Sequence, residues 1–181
     1  YGGGNTFNNP VWSTAIFTAF LDNQEFKHQF INTYCDRINT TYSTDHTSYL
    51  IDSLKAVVAP YVVDHINRYG PSPYDSYTPN TLAAYNAAVQ RMYDFASYRP
   101  DNARNEMVEL FELDGTTNTI SLFVNDSEAG HIKINTLSVD EQGWMGEYFS
   151  DIPVSIKAVP EFGYEFSHWA NQPTFTDSVN L

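Results

Sequence analysis

The feature that most constrains this chain is a change of hydrophobic period at Asp114-Gly115. Before that point apolar residues recur every three to four positions; after it they alternate. A helix buries a stripe and a strand buries one face, so one chain carrying both patterns in sequence predicts an α+β protein. The expected organisation is an all-helical segment over 1–113, of about five helices, followed by a small, mainly β module over 114–181.

The helical pattern can be read in detail. Asn9-Pro10 reads as a cap with proline at the first helical position, leading into Trp12, Ile16, Ala19 and Phe20. Asn23 caps a second helix carrying Phe26, Phe30, Ile31, Tyr34 and Ile38. The Trp12/Phe20 and Phe26/Phe30 faces are expected to be core. Ser43 caps a third helix with Asp45 in its first turn, where the helix dipole favours an acid. Pro60 is expected to kink or break it near Ala59, and Gly70 to stop it. The stretch from Gly70 to Pro79 reads as a stiff loop, and Thr78-Pro79 as the start of a fourth helix. Pro100 is expected to separate that helix from a short fifth one bearing Met107, Val108, Leu110 and Phe111.

In the second part Ile120, Leu122 and Val124 alternate, then Ile132 and Ile134, then Val154, Ile156 and Ala158. Asn125 to Gly130 reads as a hairpin loop joining the first two strands, and Tyr164 to Trp169 as a further strand with Trp169 in the core. A unit of this size has a marginal core and gains from packing on a neighbour.

Composition excludes several functions. The net charge is −13; residues 1–113 hold 7 basic against 12 acidic residues, a balance of −5, and residues 114–181 hold 2 against 10, a balance of −8. Neither part offers the basic surface that phosphate backbones require, so no nucleic acid partner is expected. No uninterrupted apolar run approaches the roughly 18 residues of a membrane span. Aromatics at 15% of the chain suffice for a real core. Cys35 is the only cysteine, so an intrachain disulfide and a cysteine-based zinc site are both excluded. The first residue is not Met, and Tyr1-Gly2-Gly3-Gly4 and Asp177 to Leu181 read as cut ends. A piece of a larger protein is expected.

The chemistry sought is largely missing. The histidines at 28, 46, 65, 131 and 168 lack zinc-ligand spacing, and no His-Glu-x-x-His occurs. Asp64-His65 has no nucleophile with an orienting third group, and no Gly-x-Ser-x-Gly elbow is present. Gly2-Gly3-Gly4 lacks the Gly-Lys-Ser/Thr of a phosphate loop, and Asp126-x-Glu128 has too few oxygen ligands for calcium. No catalytic and no metal-binding residue is therefore nominated. Ligand-binding candidates are Trp144, flanked by Gly143 and Gly146, and Tyr148. As an exposed, coplanar pair they would stack on a surface polysaccharide or a partner chain; core packing is the competing role for both.

Two stretches resemble known families. Asn9-Pro10-Val11-Trp12, Phe20-Leu21-Asp22-Asn23-Gln24-Glu25-Phe26-Lys27 and Phe30-Ile31-Asn32-x-Tyr34-x-Asp36-x-Ile38-Asn39-Thr40 resemble the C-terminal helical part of the spore coat protein H (CotH) kinase-like family. Val62-x-x-His65-Ile66-x-Arg68-Tyr69-Gly70 and Arg99-Pro100-x-x-x-Arg104 fit the same region. The resemblance implies a parent similar to atypical protein kinases, using ATP and Mg²⁺ or Mn²⁺ on secreted or surface proteins. The family's lysine and aspartate motifs lie upstream of the matching stretch, so no catalytic residue and no cofactor are assigned to this chain. Val154-x-Ile156-x-Ala158-x-Pro160-x-x-Gly163-Tyr164-x-Phe166-x-x-Trp169 resembles the internalin-type bacterial surface repeat, which has a β-grasp fold and implies a spacer or adhesion element. Together they imply a scaffold and presentation piece, secreted or on the cell surface. Its expected partners are other proteins or a missing N-terminal lobe.

Overall fold

The computed structural model describes the backbone of residues 11–70, 79–140 and 143–181, with side chains from residue 14 onward. Four helices come first: α1 (Val11–Leu21), α2 (Gln24–Asn39), α3 (Thr44–Tyr69) and α4 (Leu82–Phe111). Six strands follow: β1 (Thr117–Leu122), β2 (Gly130–Ile134), β3 (Leu137–Val139), β4 (Trp144–Phe149), β5 (Ser155–Pro160) and β6 (Ser178–Asn180). The class is α+β, with one helix fewer than the periodicity predicts. By contact the chain groups into two compact units, residues 1–36 with 116–181 and residues 37–115. The change from helix to strand near residue 113 is a boundary of secondary structure, whereas the grouping by contact falls inside α2, after Asp36.

In the first unit α2 opens as its sequence dictates: Asn23 Oδ1 accepts from the Phe26 amide at 3.0 Å. Edge-on and tilted aromatic contacts join it to α1, with Phe17 5.1 Å from Phe30 and Phe20 5.2 Å from Phe26 between ring centroids. The expected core faces are only partly realised. Phe20 is exposed, Phe26 and Phe30 are half-buried, and the buried face of α2 is Ile31, Asn32, Cys35 and Asp36. The Asn9-Pro10 cap and the Trp12 side chain lie outside the described residues.

The strands form two sheets, a β1-β4 pair and a four-stranded sheet in the order β3-β2-β5-β6, with every pairing antiparallel. The first two strands are therefore not a hairpin. The Asn125–Gly130 segment does turn, with the Ala129 amide on the Asp126 carbonyl at 3.1 Å, but it carries the chain from one sheet to the other. The tight hairpin is β2-β3, closed at Ile134↔Leu137 by the two residues Asn135-Thr136. Alternation buries Ile132, Ile134, Ile156 and Ala158 as predicted. Gly130 faces Pro160 so closely that a Cβ would lie 2.6 Å from the Val159 carbonyl oxygen, which explains glycine there. Tyr164 to Trp169 is not a strand: only an isolated bridge, Trp169↔Gln172, is formed. Trp169 is half-buried, with its indole N–H on the Thr176 carbonyl at 2.8 Å.

The second unit is dominated by α3 and α4. Ser43 caps α3 as predicted, accepting from the His46 amide at 3.3 Å. Thr81, rather than Thr78-Pro79, caps α4, accepting from the Ala84 amide at 3.1 Å; Thr78 lies outside the described residues. Both helices run through their prolines, Pro60 and Pro100. The reason differs at each. Pro60 deprives the Ala56 carbonyl of its amide donor, and Ala56 is exposed, so solvent can replace it. Pro100 deprives the Ala96 carbonyl, in a buried residue, and there the Thr44 hydroxyl donates at 3.0 Å. The core between α3 and α4 is thin: Ile51, Val89 and Ala96 with the half-buried rings of Tyr85 and Tyr93.

Candidate functional site

The most highly organised polar cluster lies in the first unit and centres on Asp36, whose side chain is fully buried. Asn32 and Asp36 sit one turn apart on α2 and so share a face. Tyr148 donates its hydroxyl to Asp36 Oδ1 at 2.7 Å, and the Asn135 amide nitrogen approaches the same oxygen at 3.3 Å. Thr136 donates both its backbone N–H, at 2.9 Å, and its hydroxyl, at 2.6 Å, to Oδ2. A carboxylate accepts and does not donate, and these four donors match its capacity. Asn32 Nδ2 adds a bond to the Pro153 carbonyl at 2.7 Å. The Asn32 amide oxygen, also buried, has no hydrogen-bond partner.

Local structure presents these donors. Asn135 has φ +46°, a left-handed conformation that asparagine tolerates. Its amide donates to the Ser155 carbonyl at 2.9 Å, and its side-chain oxygen accepts from the Ser155 amide at 3.0 Å. That two-way link pins the β2-β3 turn to β5 and leaves Thr136 facing the carboxyl group. On β4 the alternation that exposes Met145 and Glu147 turns Tyr148 inward.

The two residues nominated for ligand binding are thus placed differently from the exposed, coplanar pair expected. Tyr148 is 1% exposed and its hydroxyl is committed to Asp36. Trp144 is half-buried, 6.4 Å from Tyr148 between centroids, with the rings inclined at 45°. Tyr148 turns inside, where its hydroxyl satisfies the buried Asp36 carboxyl group. Asp36 itself was missed. Its signal was an acid within an otherwise apolar helix stripe, beside Ile31, Cys35 and Ile38, but its partners lie about a hundred residues away.

The second unit offers apolar grooves. One, of about 300 Å³, is lined by Val58, Tyr61, Val62, His65, Ile66 and Tyr85 among others. Another, of about 360 Å³, lies among Ile51, Ala88, Arg91, Met92 and Phe95. Arg104 donates to Asn39 Oδ1 at 2.9 Å, tying α4 to the last turn of α2, and Arg99 pairs with Glu106 at 2.8 and 3.1 Å. Of the arginines in the Arg99-Pro100-x-x-x-Arg104 stretch, Arg104 therefore links two helices, and Arg99 pairs along the exposed surface of α4 itself. Among the described residues no group of three or more His, Cys, Asp or Glu side chains converges. No helix among them is long and apolar enough to cross a membrane.

Long helices that carry exposed apolar residues, and a polar clamp holding a helix to small sheets, define an α+β protein. The family model described as CotH kinase protein matches residues 3–103, and the chain belongs to that family. No curated protein and no solved structure gives a significant match. The resemblance implies ATP and a divalent metal for such proteins. The two grooves are lined mainly by apolar side chains.

Proposed function

We propose that this chain is a non-catalytic scaffold of a CotH-like protein, in which the helical part braces a kinase-like core and the β part serves presentation or interaction. The observation that carries this reading is the surface of α3 and α4. Leu54, Val57, Tyr61, Phe95 and Leu110 are 53–69% exposed, along helices of 26 and 30 residues. Isolated exposed apolar residues are ordinary, but a run of them along two adjacent helices marks a face that packs against more protein. Such a face lies almost wholly within the family-matching residues, which supports a partner from the rest of a CotH-like domain. We place the protein outside the cell, secreted or at the surface, where its net charge of −13 favours solubility.

Calorimetry with ATP and Mg²⁺ or Mn²⁺, run on this chain and on one extended towards the N-terminus, tests the reading. Binding by the longer chain alone is the expected result. Binding by this chain would overturn the scaffold assignment, and binding by neither would remove the nucleotide-dependent parent.

A further inference from the structure

We infer that residues 116–181 form a helix-receiving module whose ligand is α2 of the same chain, recognised through Asn32 and Asp36. The donors that meet Asp36 come from separate places, the β2-β3 turn and strand β4, and the acceptor for Asn32 comes from the segment between β4 and β5. They converge on two side chains four residues apart, which a helix stacks one turn apart on one face with their Cβ atoms about 6 Å from each other. An extended segment of the same sequence would also put both on one side but about 13 Å apart, too far to meet donors that converge.

The Asn135–Ser155 pair of hydrogen bonds holds the turn to the sheet from the strand side, and Asp36 of α2 holds it from the other. Without Asp36 the buried Tyr148 hydroxyl loses this acceptor, and a buried donor left without one costs more than the bond contributes when made. Thr136 is exposed, so its donors would turn to water and the turn would lose its tie to the helix. The strands form one two-stranded and one four-stranded sheet, and no helix follows α4 among the described residues. A unit this small is marginal without added cover. The chain thus supplies the module's helix from a segment that precedes it by about a hundred residues, inside the family-matching region, so the boundary of the CotH match does not coincide with a folding boundary.

The test is hydrogen exchange on the full chain carrying Asp36→Asn, which keeps the shape of the side chain and replaces one acceptor oxygen by a donor. The expected result is exchange about tenfold faster or more at the amides of Thr136, Ile134, Tyr148 and Ile156, with amides of α3 and α4 such as Val89 and Ala96 unchanged. Unchanged exchange in the strands would overturn the inference, as would an equal loss throughout α3 and α4. If Asp36→Asn does not fold, Tyr148→Phe keeps the ring and removes one donor. Several-fold faster exchange of the Thr136 amide is then expected, and no change there would overturn the inference.

Discussion

Tyr93, on α4, donates its hydroxyl to Asp52 Oδ1 on α3 at 2.5 Å, and Lys55 Nζ lies 5.9 Å from the centre of its ring. The bond to Asp52 raises the Tyr93 pKa above its ordinary 10.0, with burial and the Asp52 charge adding in the same direction. Because the folded value is raised, the contribution to stability is fully present below pH 10.0 and is lost as pH rises through the higher folded value. Tyrosinate absorbance should therefore show a late step belonging to Tyr93, identified by its disappearance in Tyr93→Phe. Asp52→Asn should shift that step downward, and an unmoved step would show that Asp52 is not its cause. At this scale the sequence was partly legible. Tyr148 stood out for its size and aromatic character, but nothing local indicates that its hydroxyl meets Asp36, because that pairing exists only once α2, β4 and the Asn135-Thr136 turn are assembled.

Among the elements, the caps at Asn23 and Ser43 and the alternation of β2 and β5 could be read from short-range chemistry, because a cap and a pleat are local. The prolines could not. Proline's missing N–H and its clash with the preceding turn predict a break, yet both helices continue, and the compensation at Pro100 comes from Thr44, more than fifty residues away. Strand β4 was missed because Gly143 and Gly146 interrupt its alternation, and β1 was given the wrong partner because pairing across a sheet is a long-range choice. The Thr44–Ala96 bond makes a specific claim. Thr44→Val should cost about 1 kcal/mol in the native background. In a Pro100→Ala background it should cost less, since the restored amide at position 100 can reach the Ala96 carbonyl. A double-mutant cycle by denaturant unfolding measures the coupling. Equal costs in both backgrounds would show that the Thr44 hydroxyl does not replace the donor that Pro100 lacks.

For the molecule as a whole, the two units differ in how well each is filled. The most completely buried large side chains among the described residues, Tyr148, Ile31, Ile134, Asp36 and Cys35, all belong to the first unit. The second joins α3 to α4 through a thin seam of Ile51, Val89 and Ala96, with Ile38, Val62, Ala103, Met107 and Phe111 also buried, while leaving Leu54, Val57, Tyr61 and Leu110 largely in water. Local stability follows buried apolar contact, so the second unit should open first. The chain carries its own probes for this. Its three tryptophans, Trp12, Trp144 and Trp169, all fall in the first unit, whereas most helix belongs to the second, with α3 and α4 of 26 and 30 residues against 11 and 16 for α1 and α2. In urea, helical circular dichroism should accordingly lose most of its signal at a lower midpoint than tryptophan fluorescence, and a single unfolding free energy would be ill defined. Coincident transitions would mean that the chain unfolds as one cooperative body and that the thin seam of the second unit does not set its stability. The proposed role adds a direction to the result. A protein surface that covers the exposed face of α3 and α4 should raise the circular dichroism midpoint towards that of the fluorescence and leave the fluorescence midpoint in place, because binding stabilises only the unit that carries the contact.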